Sequence, residues 1–172
     1  QAEHLKRYAN MWRITDDFWD NWKLLKAANM PTMFCISKTG EENGDYAGVL
    51  SALQEKYGSI VCAVTAPMSD GTGVIDLVHN VAYQTKGNKT TKIPVPAADA
   101  DMVESLRETL MEAAAGATEE LMEKFFDTME LDEADMAEGI KVGVKDRTVV
   151  PVFASDAMTN VGTTALLQAI CD

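Results

Sequence analysis

Histidine, cysteine and basic residues are scarce in this sequence of 172 residues. The 3 cysteines are an odd number at unrelated spacings, which argues against a disulfide framework or a zinc site. We expect Cys35, Cys62 and Cys171 to be reduced, buried thiols. Only 15 Lys or Arg stand against 27 Asp or Glu, a formal net charge of -12. Because phosphate binding needs clustered Lys and Arg, these scattered basic residues predict no nucleic-acid surface.

Long hydrophobic runs and known metal motifs are also absent. No window approaches the ~20 continuous apolar residues that a membrane span needs, and the N-terminal residues lack the apolar centre of a signal peptide. No H-E-x-x-H cluster occurs, so the sequence predicts no metal site. Apolar residues still make up 47%, which is ample for a core. We therefore expect a cytoplasmic protein without a membrane partner, built as one domain or a domain with a sizeable insertion.

Acidic residues are concentrated in the middle of the chain. The segment Asp99–Glu138 holds fourteen Asp or Glu and only two basic residues. Within it, Glu104, Glu108 and Glu112 follow the i, i+4, i+8 spacing of one helix face, with Arg107 beside them. This acidic ridge is either a solvated face or a docking surface for a basic partner, and both interpretations stay open.

The spacing of apolar residues predicts an alternation of helices and strands. After Thr15, the side chains of Phe18, Trp22 and Leu25 share one face of a helix that is expected to pack into the core. The stretch "TMFCIS" alternates little, which is typical of a strand buried on both faces of a parallel sheet. The helix "DYAGVLSALQEKYG" follows, then the strand "SIVCAVTAP", one or two more strands, and the hairpin "KGNKTTKIPVP".

From residue 97 the pattern becomes helical. Three amphipathic helices are expected, with Thr118 and Asp132 as caps of the second and third. The buried strand "TVVPVFAS" and a final helix, "TTALLQAICD", close the chain. We therefore predict an α/β fold in which residues 1–58 and 147–172 share one parallel sheet, and residues 59–146 form an α+β insertion.

Other polar and sulfur-containing side chains favour structural roles over catalysis. His79 lies in a strand pattern with no partner positioned beside it, whereas a general base needs one. Methionines that recur on the helix faces indicate adaptable core packing, with some as candidates for lining a partner groove. These are Met102, Met111, Met122, Met129 and Met136. The sequence assigns no catalytic residue.

Four stretches carry a family resemblance: "WKLLKAANMPTMFCISK", "GVIDLV", "EAAAGATEELMEKFFDTMELDEADMAEGIKVGV" and "VVPVFASDAMTNVGTTALLQAI", in this order. The first resembles the segment of elongation factor G that leads into its Asn-Lys-x-Asp motif. The second and third resemble a strand and the acidic helices of that family's G′ insertion. The fourth resembles the strand, the fifth guanine-nucleotide motif and the last helix of its GTPase domain. The resemblance starts near Trp22, and residues 1–14 resemble no part of the family.

The first guanine-reading loop departs from the family pattern. Ser37 and Gly40 stand where the family has Asn and Asp, while Lys38 is kept. The family Asp accepts two parallel hydrogen bonds from the guanine edge. Because Gly40 has no side chain, those base donors would go unsatisfied, at about 1–3 kcal/mol each. Glu41 and Glu42 also carry carboxylates, but they stand one or two residues away from the position of the family Asp. Because the geometry of the base is fixed, we do not expect either of them to replace that acceptor.

The second guanine-reading loop is altered as well. Asp156, Ala157 and Met158 align with the family's Ser-Ala-Lys/Leu, and a register with Ser155 in the Ser role stays open. The Ala157 N–H group still suits a base oxygen, but the Asp156 carboxylate would place negative charge near guanine O6. Both loops together predict a degenerate base site.

A phosphate-binding loop G-x-x-x-x-G-K-S/T is missing from this chain. The family has this loop upstream of the matched region, so the resemblance implies either the C-terminal half of a GTPase domain with its G′ insertion or a paralogue with an altered front half, and the first interpretation is favoured. No cofactor is expected in this chain, whereas GTP and Mg²⁺ would belong to the intact parent, which includes the remaining part of the GTPase domain.

The resemblance also implies partners. They are the ribosome and the stalk protein of its large subunit, which would dock on the outer face of the G′ helices at Glu104, Arg107, Glu108 and Glu112. The alternative is a divergent, non-translational protein-binding module that reuses this fold without binding a nucleotide.

Overall fold

The computed structural model describes residues 16–41, 44–87 and 89–171, without the side chains of residues 16–20 and 22. The predictions for Thr15, Phe18, Trp22 and Glu42 lie outside what is described. The helices are α1 (Asp16–Ala27), α2 (Tyr46–Tyr57), α3 (Ala100–Ala115), α4 (Glu119–Thr128), α5 (Glu133–Asp146) and α6 (Thr163–Cys171). The strands are β1 (Phe34–Ile36), β2 (Val61–Ala63), β3 (Thr65–Pro67), β4 (Gly73–Asp76), β5 (Val81–Lys86), β6 (Lys89–Pro94) and β7 (Val150–Ala154).

Two sheets organise the fold, and they confirm the α/β class expected from the sequence. A three-stranded parallel sheet has the order β1-β7-β2, and a four-stranded antiparallel sheet has the order β3-β4-β5-β6. Phe34 of β1 pairs with Val152 of β7, and Val61 of β2 pairs with Val150 on the opposite side. Strand β7 is therefore central, and its whole length is buried, as expected of a parallel strand covered on both faces.

Strand β2 belongs to the parallel sheet although it lies inside the predicted insertion, residues 59–146. It pairs with β7 and runs directly into β3, the first strand of the antiparallel sheet, with only Val64 between them. The predicted boundary after residue 58 thus separates β2 from the sheet it joins, and the division into domains stays a prediction. Periodicity could not place β2, because a short apolar run looks the same in either sheet.

Thr65, buried at the start of β3, links the two sheets. Its hydroxyl accepts a hydrogen bond from the N–H of Ala154 at 2.8 Å, and its carbonyl accepts one from the Tyr46 hydroxyl at 2.8 Å. The neighbouring Val64 N–H donates to the Val152 carbonyl at 2.9 Å. These bonds matter because a buried polar group left without a partner costs about 1–3 kcal/mol.

The helices of the acidic segment begin where the sequence predicts. Thr118 accepts from the N–H of Leu121 at 3.2 Å and Asp132 from that of Asp135 at 2.9 Å, which confirms both caps. Helix α3 packs against β2 and α5. Its buried residues are Val103, Leu110, Ala114 and Ala115. Among the described helices, none combines the length and the apolarity required to cross a membrane.

Two predictions about burial are wrong. Leu25, which is predicted to lie in the core, is 41% exposed, so the described residues leave this side of α1 uncovered. Cys35 and Cys171 are exposed, and only Cys62 is buried. Burial raises the pKa of Cys62 to about 12, so its thiol stays protonated at neutral pH. An amphipathic pattern identifies the apolar face of an element but not what covers it, which explains the error at Leu25.

Helices α3 and α5 cross closely at Gly139. A Cβ at this position would lie 2.5 Å from the carbonyl oxygen of Ala114, which is part of the backbone and cannot yield easily. Only a residue without a side chain fits the crossing, because protein interiors are packed as densely as organic crystals.

We expect Gly139→Ala to lower the free energy of unfolding by about 1–3 kcal/mol, since the added methyl overpacks the crossing. Urea denaturation followed by circular dichroism measures this change. The control Ala137→Ser, at an exposed position of the same helix, should stay within about 0.5 kcal/mol of the parent. Equal stability of the Gly139→Ala variant and the parent would contradict the close crossing.

Candidate functional site

The two loops predicted to read a base lie side by side at the carboxyl ends of β1 and β7. Because these strands are parallel neighbours, the segments that follow them leave from the same edge of the sheet. The N–H and hydroxyl of Thr39 both approach the Ser155 carbonyl, at 3.4 and 3.2 Å, and the Ser155 N–H donates to Ile36 at 2.9 Å. The fold therefore brings residues 37–40 and 155–157 together, and we call them the loop pair.

The first loop of the pair lies at the surface. Ser37, Lys38 and Gly40 are exposed, and Lys38 has a left-handed backbone with φ 63. The Lys38 Nζ lies 3.6 Å from Glu41 Oε1, with both side chains about half exposed. Such a pair contributes only about 0–1 kcal/mol, so it fixes neither side chain firmly. Glu41 is thus placed beside Lys38 and does not substitute for a carboxylate at position 40.

The second loop is built around two buried polar residues. Ser155 Oγ lies 3.1 Å from the Cys35 sulfur, and Asp156 is only 3% exposed. The Asp156 N–H donates to Val161 at 2.8 Å, and its Oδ1 accepts from the Met158 N–H at 2.9 Å. Asp156 therefore holds the turn closed, while Ala157 is exposed at its tip.

Gly40 and Asp156 lie close together in the loop pair. A Cβ at Gly40 would lie 3.0 Å from Asp156 Oδ2 and 3.5 Å from the Gly71 carbonyl oxygen. The Asp156 carboxylate thus reaches the place where a side chain of residue 40 would begin. A second carboxylate there would face the like charge of the buried Asp156, which is unfavourable. Carboxylates at positions 40 and 156 would therefore disfavour each other.

The acidic ridge lies on the outer face of α3. Glu104, Glu108 and Glu112 are exposed, and within the part of the chain that the structure describes none of them forms an ion pair. Their charges are therefore available to a partner, although each remains screened by solvent and salt.

Arg107 does not share the outward direction expected for it. Its Nη1 donates to the backbone carbonyls of Leu77 and Val78, the latter at 3.0 Å, and so ties α3 to the turn between β4 and β5. A guanidinium bound to two carbonyls stabilises the fold here. The acidic ridge, as used below, consists of the three glutamates alone.

His79 lies in the turn between β4 and β5, not in a strand as its pattern suggests. Its Nδ1 is 2.7 Å from Asp76 Oδ2, so a partner is positioned after all. The other oxygen of Asp76 accepts from the N–H groups of Val78 and His79, at 3.0 and 3.1 Å. The pair is a local turn contact, and the aspartate three residues before the histidine was the signal that could have revealed it. The described residues contain no cluster of three or more metal-ligating side chains.

A wide groove is the feature that sequence reasoning missed entirely. It has a volume of about 1190 Å³ and lies between the antiparallel sheet, α5 and α6. Val74, Ile140 and Phe153 contribute to its mostly apolar lining, and no residue of the loop pair reaches it. Its walls come from elements far apart in the sequence, so no local pattern could indicate it.

Comparison with known proteins supports the fold. No protein-family model matches the chain. A crystal structure of a protein from Thermus thermophilus matches 87% of this chain with a TM-score of 0.76 at 24% identity. The chain spans only 23% of the length of that protein, whose name states no function. At this identity the likeness shows the fold alone: the same mixed α/β architecture forms part of a longer protein.

We expect Gly40→Asp to lower the free energy of unfolding by about 1–2 kcal/mol, because its carboxylate would meet that of Asp156. Combining it with Asp156→Ser should cost less than the sum of the two single changes, with a coupling of about 0.5–2 kcal/mol. Urea denaturation of both single variants and the double variant gives this coupling. The control Gly40→Ala measures the steric contribution to the loss of stability without the added charge. If the effects of the two single changes are strictly additive in the double variant, residues 40 and 156 do not interact.

Proposed function

We propose that this chain is part of an elongation-factor-G-like translational GTPase. Its role in that protein is to present a docking surface for the stalk protein of the large ribosomal subunit. The observation that carries the proposal is the acidic ridge: three glutamates of α3 whose exposed carboxylates form no ion pair with the described residues. A basic partner surface would be attracted to these charges, which speeds association and makes binding sensitive to salt.

The sheet arrangement supports the family assignment. The segment resembling the Asn-Lys-x-Asp loop and the segment resembling the fifth guanine-nucleotide motif lie on neighbouring parallel strands, as a shared base site requires. Four antiparallel strands and three helices lie between β2 and β7, in the place of the G′ insertion that the resemblance implies.

The loop pair itself does not fit a guanine base. Position 40 offers no acceptor for the two guanine donors, and the carboxylate of Asp156, which extends towards position 40, would add negative charge beside a bound base. We therefore assign no catalytic residue and no nucleotide step to this chain. In the intact parent, GTP and Mg²⁺ would be held chiefly by the remaining part of the GTPase domain.

The runner-up is a divergent protein-binding module outside translation that has kept the fold and lost the nucleotide. The contact between Gly40 and Asp156 favours it, because a closed loop pair is compatible with a chain that no longer binds any base. Both candidates act through contact with another protein and differ in which protein they recognise.

Reversing the ridge charges should weaken capture of the stalk protein. We expect Glu104→Lys, Glu108→Lys and Glu112→Lys together to lower the association rate by about tenfold or more at low salt, with a smaller effect at high salt. Surface plasmon resonance with immobilised stalk protein measures this. The matched control reverses three exposed acids elsewhere, Glu55, Glu138 and Asp146, and so keeps the same net charge. An equal loss in both triple variants would argue against a specific ridge.

Guanine nucleotides should bind this chain poorly. Isothermal titration with GDP should show no binding tighter than about 1 mM, because the guanine donors lack an acceptor at position 40 and the chain contains no phosphate cradle. Asp156→Ser combined with Gly40→Asp is the most favourable variant for regaining affinity. Micromolar affinity in the unmodified chain would refute our interpretation of the loop pair.

A further inference from the structure

Two large apolar side chains at the end of α4 are left uncovered. Phe126 is 70% exposed and Met129 is 66% exposed, whereas Leu121 and Phe125 of the same helix are buried in the core. Phe126 lies in the last turn of α4 and Met129 directly follows its last residue, so both exposed side chains belong to one surface at the end of the helix. We call it the Phe126–Met129 surface. The other face of α4 packs into the core, whereas the exposed side chains of Phe126 and Met129 contribute little to packing.

Backbone conformation does not explain the choice of methionine at position 129. Met129 is the residue that ends α4, with a left-handed φ of 57, and its N–H donates to Phe125 at 2.7 Å. Glycine is favoured at such a position, and another residue costs about 1–2 kcal/mol there. The exposed methionine side chain therefore adds nothing to the stability of this helix end.

Acidic residues surround the patch. Glu123, Asp127 and Glu130 are exposed on the same part of α4 and the residues that follow it. None of the three takes part in an ion pair with the described residues. The patch thus combines an apolar centre with a negatively charged rim, the arrangement typical of a protein-binding site.

The nearest basic residue does not neutralise this rim. Lys124 is the only Lys or Arg between Arg107 and Lys141. Its ammonium group contacts Asp135 and lies 3.5 Å from Asp132, so it is bound to the start of α5. The negative charge of the rim therefore faces outward.

Charge selects the kind of partner. A second copy of the chain would bring another net charge of -12 to the contact, and nucleic acids and anionic membranes would also be repelled. We propose that the Phe126–Met129 surface is a docking site for a basic amphipathic helix of a partner protein. An apolar side chain of that helix inserts between Phe126 and Met129, while its Lys or Arg side chains face Glu123, Asp127 and Glu130. This surface lies on α4, and the acidic ridge lies on α3, so the inference goes beyond the proposed function.

The probe is a synthetic helical peptide of about 18 residues, or five helical turns, with Leu on one face and Lys on the other and a fluorescein label. Fluorescence anisotropy against the full 172-residue chain should show saturable binding that weakens at high salt. Phe126→Ser should weaken it at least about tenfold, because a central aromatic residue carries much of the energy of such contacts. Met129→Gly should weaken binding while the free energy of unfolding stays equal or rises. A peptide with Glu in place of Lys should not bind.

Two controls decide the outcome. Leu167→Ser removes an equally apolar side chain, 57% exposed on α6, and should leave the affinity unchanged. In the background of the triple ridge reversal, Phe126→Ser should still weaken binding by about tenfold, since the surfaces are separate. The proposal is overturned if Phe126→Ser binds like the parent, if Leu167→Ser loses as much, or if the effect of Phe126→Ser vanishes in the ridge background. None of these outcomes bears on capture of the stalk protein, which tests the proposed function.

Discussion

The parallel pairing of β1 with β7 is the contact on which the rest of the structure depends. It pairs Phe34 with Val152, two residues separated by most of the chain. A strand near the end of the sequence thus completes a sheet that contains a strand near its start. The chain between β1 and β7 must therefore leave this sheet and return to it. The departure takes place at Val64 and Thr65, where buried hydrogen bonds to β7 hold the antiparallel sheet against the parallel one. Because these bonds are shielded from water, the two sheets are held firmly together.

The pairing of β1 with β7 also brings the two segments of the loop pair together at one edge of the sheet. Loops at the carboxyl ends of neighbouring parallel strands are a common place for ligands. Here Asp156 accepts a hydrogen bond from the Met158 N–H within its own turn, and its second oxygen extends towards Gly40. Two positions far apart in the sequence are therefore close together in the fold.

The helices divide their surfaces between packing and exposure to solvent. Helix α3 buries Val103 and Leu110 and turns its glutamates to solvent, and Arg107 anchors it to the β4–β5 turn. Helix α4 buries only two residues and exposes an apolar pair instead. Long-range attraction from the ridge carboxylates would act on the association rate of a partner, and burial of the exposed apolar pair would act on its dissociation rate.

Local signals in the sequence determined the elements and their ends. Thr118 and Asp132 could be recognised as caps because a helix start needs an acceptor within three residues, and the glutamates of α3 could be placed outward because the helical period fixes a face. Only the tertiary structure decided that β2 joins the parallel sheet, that Arg107 binds backbone carbonyls, and that Gly40 meets Asp156. Each of these depends on which distant segments come together, and hydrophobic periodicity carries no information about that choice.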